Sequence, residues 1–295
     1  MLEHSKNPTF LLNKIAMEFP DLPWGAYRYI DEGWDHEVII LDEKIVFRFP
    51  TDKEYTDMLK DEIKILKAIS PNVSITIPKY TYISKNGDFA GYDIVPGESI
   101  TKTYFDQLEP TERTSIIKQL ADFLSTIHTL DVKKGDLKLV NPSFLPADQA
   151  EIRQQMPQLQ KMLDGEDYIV VQKTLSEIDT LLQQSLPSTF IHNDIYDRHL
   201  FWDQHDQRVG LIDFSDMSMG DPAADFGQLY EYGIDFIHEL YRYYTGPKDD
   251  TFLDRAWSYQ KWTGVYMMTD YFENHKTSFE VARETFDRVK DNIPK

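Results

Sequence analysis

The sequence predicts an α+β chain of two lobes, a small β-rich one followed by a larger, mostly helical one. Three observations carry this expectation. Residues 26–50 and 74–100 are rich in β-branched and aromatic residues, cut by short turns. A single amphipathic stretch, 53–70, lies between them. After "VPGE" (95–98) the apolar spacing changes to the helical period and mostly keeps it.

The elements follow in order. "AYRYIDEGWDHEVIILDEKIVFRFP" (26–50) reads as strand, Gly-containing turn, strand, turn and strand, with Pro50 closing the last. "KEYTDMLKDEIKILKAIS" (53–70) reads as a helix burying Leu59, Ile63, Leu66 and Ile69. "SITIPKYTYIS" and "FAGYDIVPGESI" are two further strands around the turn "KNGD". Residues 110–130 form a helix with Ile116, Leu120, Phe123, Leu124 and Ile127 inward, and Pro110 suits its first turn. A polar, Pro-interrupted stretch spans 133–165, followed by a helix through "QKTLSEIDTLLQQ". Short strands and loops are expected around 189–216, and helices from about 223 onward. The simplest parse joins a small β-rich lobe, residues 1–95, to a larger, mostly helical one, residues 96–295.

Composition narrows the function classes. Thirty-one basic against 50 acidic residues give a net charge of −19, a surface that repels nucleic-acid phosphates and anionic lipid. Cysteine is absent, which removes disulfides, thiolate nucleophiles and thiolate metal sites. No apolar run is long enough for a bilayer, and "MLEHSKNPTF" lacks the pattern of a signal peptide. A cytoplasmic monomer without nucleic-acid or membrane partners is expected.

The chemistry concentrates in "HNDIYDRHLFWDQHDQRVGLIDFSD" (192–216). An apolar run delivers His192 and Asp194 onto a loop, and His199 precedes the short strand "LFWD". A second apolar run ends at Asp213. Two adjacent strands would set His199 beside Asp213, an imidazole–carboxylate pair able to bind a divalent ion, with Asp194 left free beside it as a base. Magnesium relies on one or two carboxylates plus substrate phosphates, so this is an arrangement suited to phosphoryl transfer.

His192–x–Asp194, then His199, Asp213–Phe214–Ser215 and "GDPAADF" (220–226) together resemble the motifs of the aminoglycoside phosphotransferase family, which is related to protein kinases. The resemblance runs over nearly the whole chain, closest to the 2″-aminoglycoside and macrolide phosphotransferase branch. It implies a bilobal, protein-kinase-like fold and transfer of the γ-phosphate of GTP or ATP, with magnesium, to a hydroxyl of an antibiotic. Asp194 would be the catalytic carboxylate, and His199 and Asp213 the metal ligands. His192 and Asp225 would brace the loop. Arg48 stands where the family usually has a phosphate-binding Lys, and Glu62 would pair with it. Gly33 in "DEGWDH" would lie in the phosphate-covering loop. Tyr92 matches the position ahead of the hinge, where a bulky ring goes with use of GTP. Backbone groups of Asp93, Ile94 and Val95 would meet the purine edge, and Ile212 would floor the base pocket.

For the acceptor, Glu231, Asp235 and Asp270 with Trp262 and Tyr266 interleave carboxylates and rings, a pattern suited to a polycationic sugar. An aminoglycoside, through a 2″-type hydroxyl, is the expected substrate. A macrolide is the alternative, since Tyr266, Met267, Met268 and Phe272 could line an apolar groove. A metal-dependent phosphohydrolase and a nucleotide-binding protein without turnover are the competing classes.

Overall fold

In the computed structural model, residues 7–31, 35–273 and 277–290 are described. Helix α1 (Pro8–Glu18) precedes strands β1 (Tyr27–Ile30), β2 (His36–Leu41) and β3 (Ile45–Pro50). Helix α2 (Lys53–Ile69) leads to β4 (Tyr80–Ile83) and β5 (Ala90–Asp93). These strands form one antiparallel sheet in the order β1-β2-β3-β5-β4. Only the end of "SITIPKYTYIS" joins it; Pro78 has no N–H for a ladder, and Thr76 instead bridges to Gly210.

The sequence reading placed one helix in this lobe, but α1 is a second. Asn7 caps it through Thr9 N–H, and Leu11, Leu12 and Ile15 bury against Ile39, Leu41, Phe47, Phe49 and Phe89. Helix α2 begins at an Asp52 cap and buries Leu59, Glu62, Ile65, Leu66 and Ile69. Ile63, expected inside, is only half-buried, and Ile65 takes its place. The buried stripe is turned so that Glu62 faces inward.

Beyond β6 (Glu98–Ser99) the chain is mainly helical: α3 (Lys102–Gln107), α4 (Pro110–Ile127), α5 (Leu145–Met162) and α6 (Gly165–Leu182). The five apolar residues assigned to the inner face of α4 are all buried. Helix α5 occupies most of the polar, Pro-interrupted stretch 133–165, to which the sequence assigned no element. Its Pro146 lies in the first turn, where a missing N–H costs nothing, and Pro157 is carried inside the helix. Only Gln149, Ile152 and Leu159 are buried on it, too sparse a stripe to register as a helical period.

Strands β7 (Thr189–Ile191), β8 (Leu200–Asp203), β9 (Arg208–Leu211) and β10 (Ser218–Gly220) form two small sheets, β10-β7 and β6-β8-β9. Gly97, at φ 116°, lies where a Cβ would fall 2.5 Å from the Trp202 backbone, so glycine is needed as the chain crosses β8. Helices α7 (Ala224–Gly227), α8 (Ile234–Tyr243), α9 (Phe252–Glu273) and α10 (Phe279–Lys290) complete the chain. A large core joins α2, α4, the β8–β9 hairpin and α8, while α5, α6, α9 and α10 share a second. No helix among the described residues is long and apolar enough to cross a membrane.

Candidate active site

Strand β7 ends where the loop 192–199 begins, and the carboxylate of Asp225 on α7 shapes that loop. Its Oδ1 accepts from Asn193 N–H (2.6 Å) and its Oδ2 from His192 N–H (3.0 Å). His128, at the end of α4, lies 2.9 Å from the same Oδ2. Asn193 takes a left-handed backbone, φ 70°, which Asn tolerates better than most side chains.

His199 and Asp213 come together because they flank the paired strands β8 and β9, where Ile212 N–H donates to His199 O at 3.1 Å. His199 Nδ1 lies 2.9 Å from the Asp194 backbone carbonyl and 3.2 Å from its Oδ2. A carbonyl only accepts, so in the neutral ring Nδ1 carries the proton. Nε2 then turns its lone pair toward Asp213 Oδ2, 3.6 Å away. Two electron-rich atoms across that gap suit a cation between them. Among the described residues no group of three His, Asp or Glu side chains is arranged as a full metal cage. Two protein donors are what magnesium takes when phosphates and waters complete its shell.

The two aspartates are electrostatically opposite. Burial, then the Asp213 charge, pushes the Asp194 carboxyl up to about 7. Burial also raises Asp213, but the opposing Arg48 charge, helped by the Ser215 hydrogen bond, leaves that carboxyl well below the usual range. The sequence left Asp194 free, whereas in the structure Gln228 Nε2 donates to its Oδ1 at 3.1 Å. Asp213 sits at φ 62° and accepts from Ser215 Oγ at 2.7 Å.

Arg48 ties this cluster to the sheet. The guanidinium is 6% exposed and Glu62 is 1% exposed. Arg48 Nη1 donates to Glu62 Oε1 (2.9 Å), Glu62 Oε2 (3.0 Å) and Tyr80 Oη (3.0 Å). Nη2 donates to Asp213 Oδ1 at 3.1 Å. One arm of the guanidinium is thus committed to the buried carboxylate, and the other reaches a carboxylate that is 36% exposed.

Tyr92 is buried, with its ring edge-on to Tyr80 at 5.1 Å. Ile94 N–H is committed to Lys44 O at 2.7 Å. Val95 is buried, Asp93 is exposed, and Ile212 is half-buried immediately before Asp213. Gly33 lies outside the described residues.

Of the five expected acceptor residues, Trp262, Tyr266 and Asp270 lie together on α9, while Glu231 and Asp235 lie on other elements. Glu231 accepts from Asp197 N–H at 2.8 Å, and burial, then Asp197, raises its carboxyl to about 7. Asp235 is exposed in the first turn of α8. Asp270 is buried and accepts from Thr277 N–H at 3.1 Å, bracing the approach to α10. Trp262 stacks on Tyr266 at 5.2 Å, while its Nε1 donates to Gln149 Oε1 at 3.0 Å.

The structure adds residues that the sequence reading passed over. Asp216 is in the field of Asp194 and Asp213, and burial, then those charges, raises its carboxyl well above the ordinary range. Asp148 on α5 is raised to about 6 by burial and Glu151. Tyr266 feels Asp148, Asp270, Asp216 and Glu151, which makes its surroundings strongly acidic. Asp216 could have been found as the last carboxylate of the segment 192–216, three residues after Asp213. Gln228 and Asp148 carried no local signal.

The sequence model of the "Phosphotransferase enzyme family" matches residues 26–260. Among solved structures, the GDP complex of aminoglycoside 2'-phosphotransferase-IIIa superposes with a TM-score of 0.83 at 21% identity, covering 96% of this chain and 98% of the other. The ternary complex of streptomycin, ATP and APH(2")-IIa gives 0.71 at 17% identity, covering 97% of each. Macrolide 2'-phosphotransferase MphH from Brachybacterium faecium gives 0.68 at 13% identity, covering 97% and 99%. At these identities the likeness carries the fold: an antiparallel N-terminal sheet followed by a mostly helical remainder, as in kinase-like phosphotransferases.

Proposed function

The chain belongs to the phosphotransferase enzyme family, and from that premise we propose that it moves the γ-phosphate of GTP or ATP to a hydroxyl of an aminoglycoside. The single observation behind the assignment is the convergence of Asp194, His199, Asp213 and Arg48, with spacings of 3.1–3.6 Å between their charged groups. Residues 1–95 would carry the nucleotide and residues 96–295 the acceptor and the catalytic loop.

In this reading Asp194 receives the acceptor proton. A carboxyl raised to about 7 is matched to proton transfer near neutral pH. Gln228 holds one of its oxygens, which leaves the carboxylate oriented for a hydroxyl. His199 and Asp213 would hold magnesium, whose charge offsets that of the phosphates. Arg48 keeps its arm on Glu62 and shares the other between Asp213 and a phosphate oxygen. The purine edge would meet the Asp93 carbonyl and the Val95 N–H, since Ile94 N–H is already engaged. Tyr92 narrows the rear of that pocket, which favours GTP. Catalysis comes from positioning and electrostatics.

The acceptor side supports a polycation. Asp148 and Asp216 have raised carboxyls and surround Tyr266 with an acidic field, and Glu231, on another element, is raised as well. A raised carboxyl is neutral below its pKa and charged above it. Affinity for a cationic acceptor should therefore rise as pH increases through about 6–7, the range of Asp148 and Glu231. Titration calorimetry across pH 5–8 checks this, and Asp148→Asn should flatten the lower part of the rise. Added salt should weaken the same binding. A macrolide with one amine would show a shallow response to both.

The deciding assay supplies GTP and ATP separately with a panel of aminoglycosides and macrolides, and follows phosphate onto the drug. Transfer to aminoglycosides is the expected result. Transfer to macrolides alone would move the assignment to the alternative, and phosphate release with no labelled drug would reject both.

A further inference from the structure

A residue that this nucleotide-site reading does not use carries a further assignment, which rests on that reading. His36 opens β2, and its cross-strand neighbourhood is set by the pairs His36↔Pro50, Val38↔Arg48 and Val46↔Tyr92. Paired residues share a sheet face, and so do residues two apart along a strand. His36 therefore lies on the face that carries Arg48 and Tyr92. It is 6% exposed, and its Nδ1 is 3.2 Å from Arg48 Nη2.

That contact decides the tautomer. A guanidinium has donors and no acceptor, so Nδ1 must be the accepting nitrogen. The ring proton then sits on Nε2. Burial, then the Arg48 charge, depresses the imidazole to about 2, so the ring stays neutral at any physiological pH. Among the described residues Nε2 makes no hydrogen bond. Folded proteins seldom keep a buried donor unpaired, and such a group most often marks a missing ligand, water or ion. What would satisfy this one is an acceptor atom on the sheet face that carries Arg48, whose Nη2 also touches Asp213.

We infer that His36 is a phosphate-binding residue: its Nε2–H donates to a phosphate oxygen of the bound nucleoside triphosphate, while its Nδ1 accepts from Arg48 and steadies the guanidinium. A neutral donor of this kind recognises phosphate without adding charge, and complements the cation held by Arg48.

Two variants separate the ring's two ends. His36→Asn keeps a polar atom near the Nδ1 position and lacks the distant donor, whereas His36→Gln can place an amide N–H near the Nε2 position. Affinities for GTP, ATP, guanosine and adenosine are measured by equilibrium titration on the full chain. His36→Asn is expected to weaken triphosphate binding about tenfold and to leave nucleoside binding within about twofold, as loss of one hydrogen bond to a charged group predicts. His36→Gln should recover most of the loss. Unchanged triphosphate affinity in His36→Asn would overturn the inference, as would an equal loss for nucleoside and triphosphate, the mark of a residue that only supports the fold. If His36→Asn does not fold, His36→Ala takes its place and is read in the same way: weaker triphosphate binding with nucleoside binding intact supports the assignment, and unchanged triphosphate affinity rejects it. Wild-type protein that binds no triphosphate would overturn the nucleotide site itself, a result distinct from wild-type binding that His36→Asn leaves untouched.

Discussion

Asp194→Asn should lower the rate of phosphate transfer by about 10²–10⁴-fold, the range that a positioned general base contributes, while nucleotide affinity stays near that of the parent. The side chain keeps its size and can still accept from Gln228 Nε2, so the loop should not collapse. Removing a charge that Asp213 and Asp216 disfavour should also leave thermal stability unchanged or slightly raised, because these carboxyls repel one another. Turnover, nucleotide binding and unfolding temperature measured on one preparation check the three parts together. An active Asp194→Asn enzyme would remove Asp194 from the proton-transfer role. An unfolded one would leave the assignment to a single-turnover comparison with Gln228→Ala, which should slow transfer while preserving the Asp194 carboxylate.

The second large effect concerns stability. Arg48→Met should destabilise the protein by about 3–5 kcal/mol, because it strands the buried Glu62 carboxylate without its cation. Burial already raises that carboxyl, and Arg48 opposes the rise most strongly, with a smaller part from the Tyr80 hydrogen bond. The double variant Arg48→Met/Glu62→Met should recover most of the loss, since well-packed apolar groups often replace a buried ion pair at little cost. It should nevertheless bind triphosphate poorly. Urea unfolding of the two single variants and the double variant closes the cycle. A near-zero coupling energy would mean that the 2.9 Å pair contributes nothing to stability.

How much of this was legible can be argued from particular residues. Arg48 was visible as a cation in an apolar strand, and Glu62 as an acid on the following helix. Their meeting depends on how α2 rolls on the sheet, and the expected stripe, with Ile63 inside, had that roll slightly wrong. The stretch 192–216 announced its chemistry because catalytic side chains and short strands are close in sequence. Its three main groups needed only one hairpin, β8–β9, to meet. Helix α5 was illegible because a helix that buries few apolar residues and carries two prolines resembles a loop in pattern. Its cost was Asp148, which no spacing argument could have linked to Tyr266, since α5 and α9 are joined only by packing.

Local sequence therefore determined the strands, most of the helices and the identity of the groups around Asp194, because periodicity and short loops act over a few residues. The tertiary structure alone decided that Asp194 is raised while Asp213 is depressed, that Arg48 spans from Glu62 to Asp213, and that one nitrogen of His36 is buried with no partner among the described residues. Those properties come from burial and from charges far apart along the chain, and a carboxylate has no fixed proton affinity until folding sets its neighbours and its distance from water.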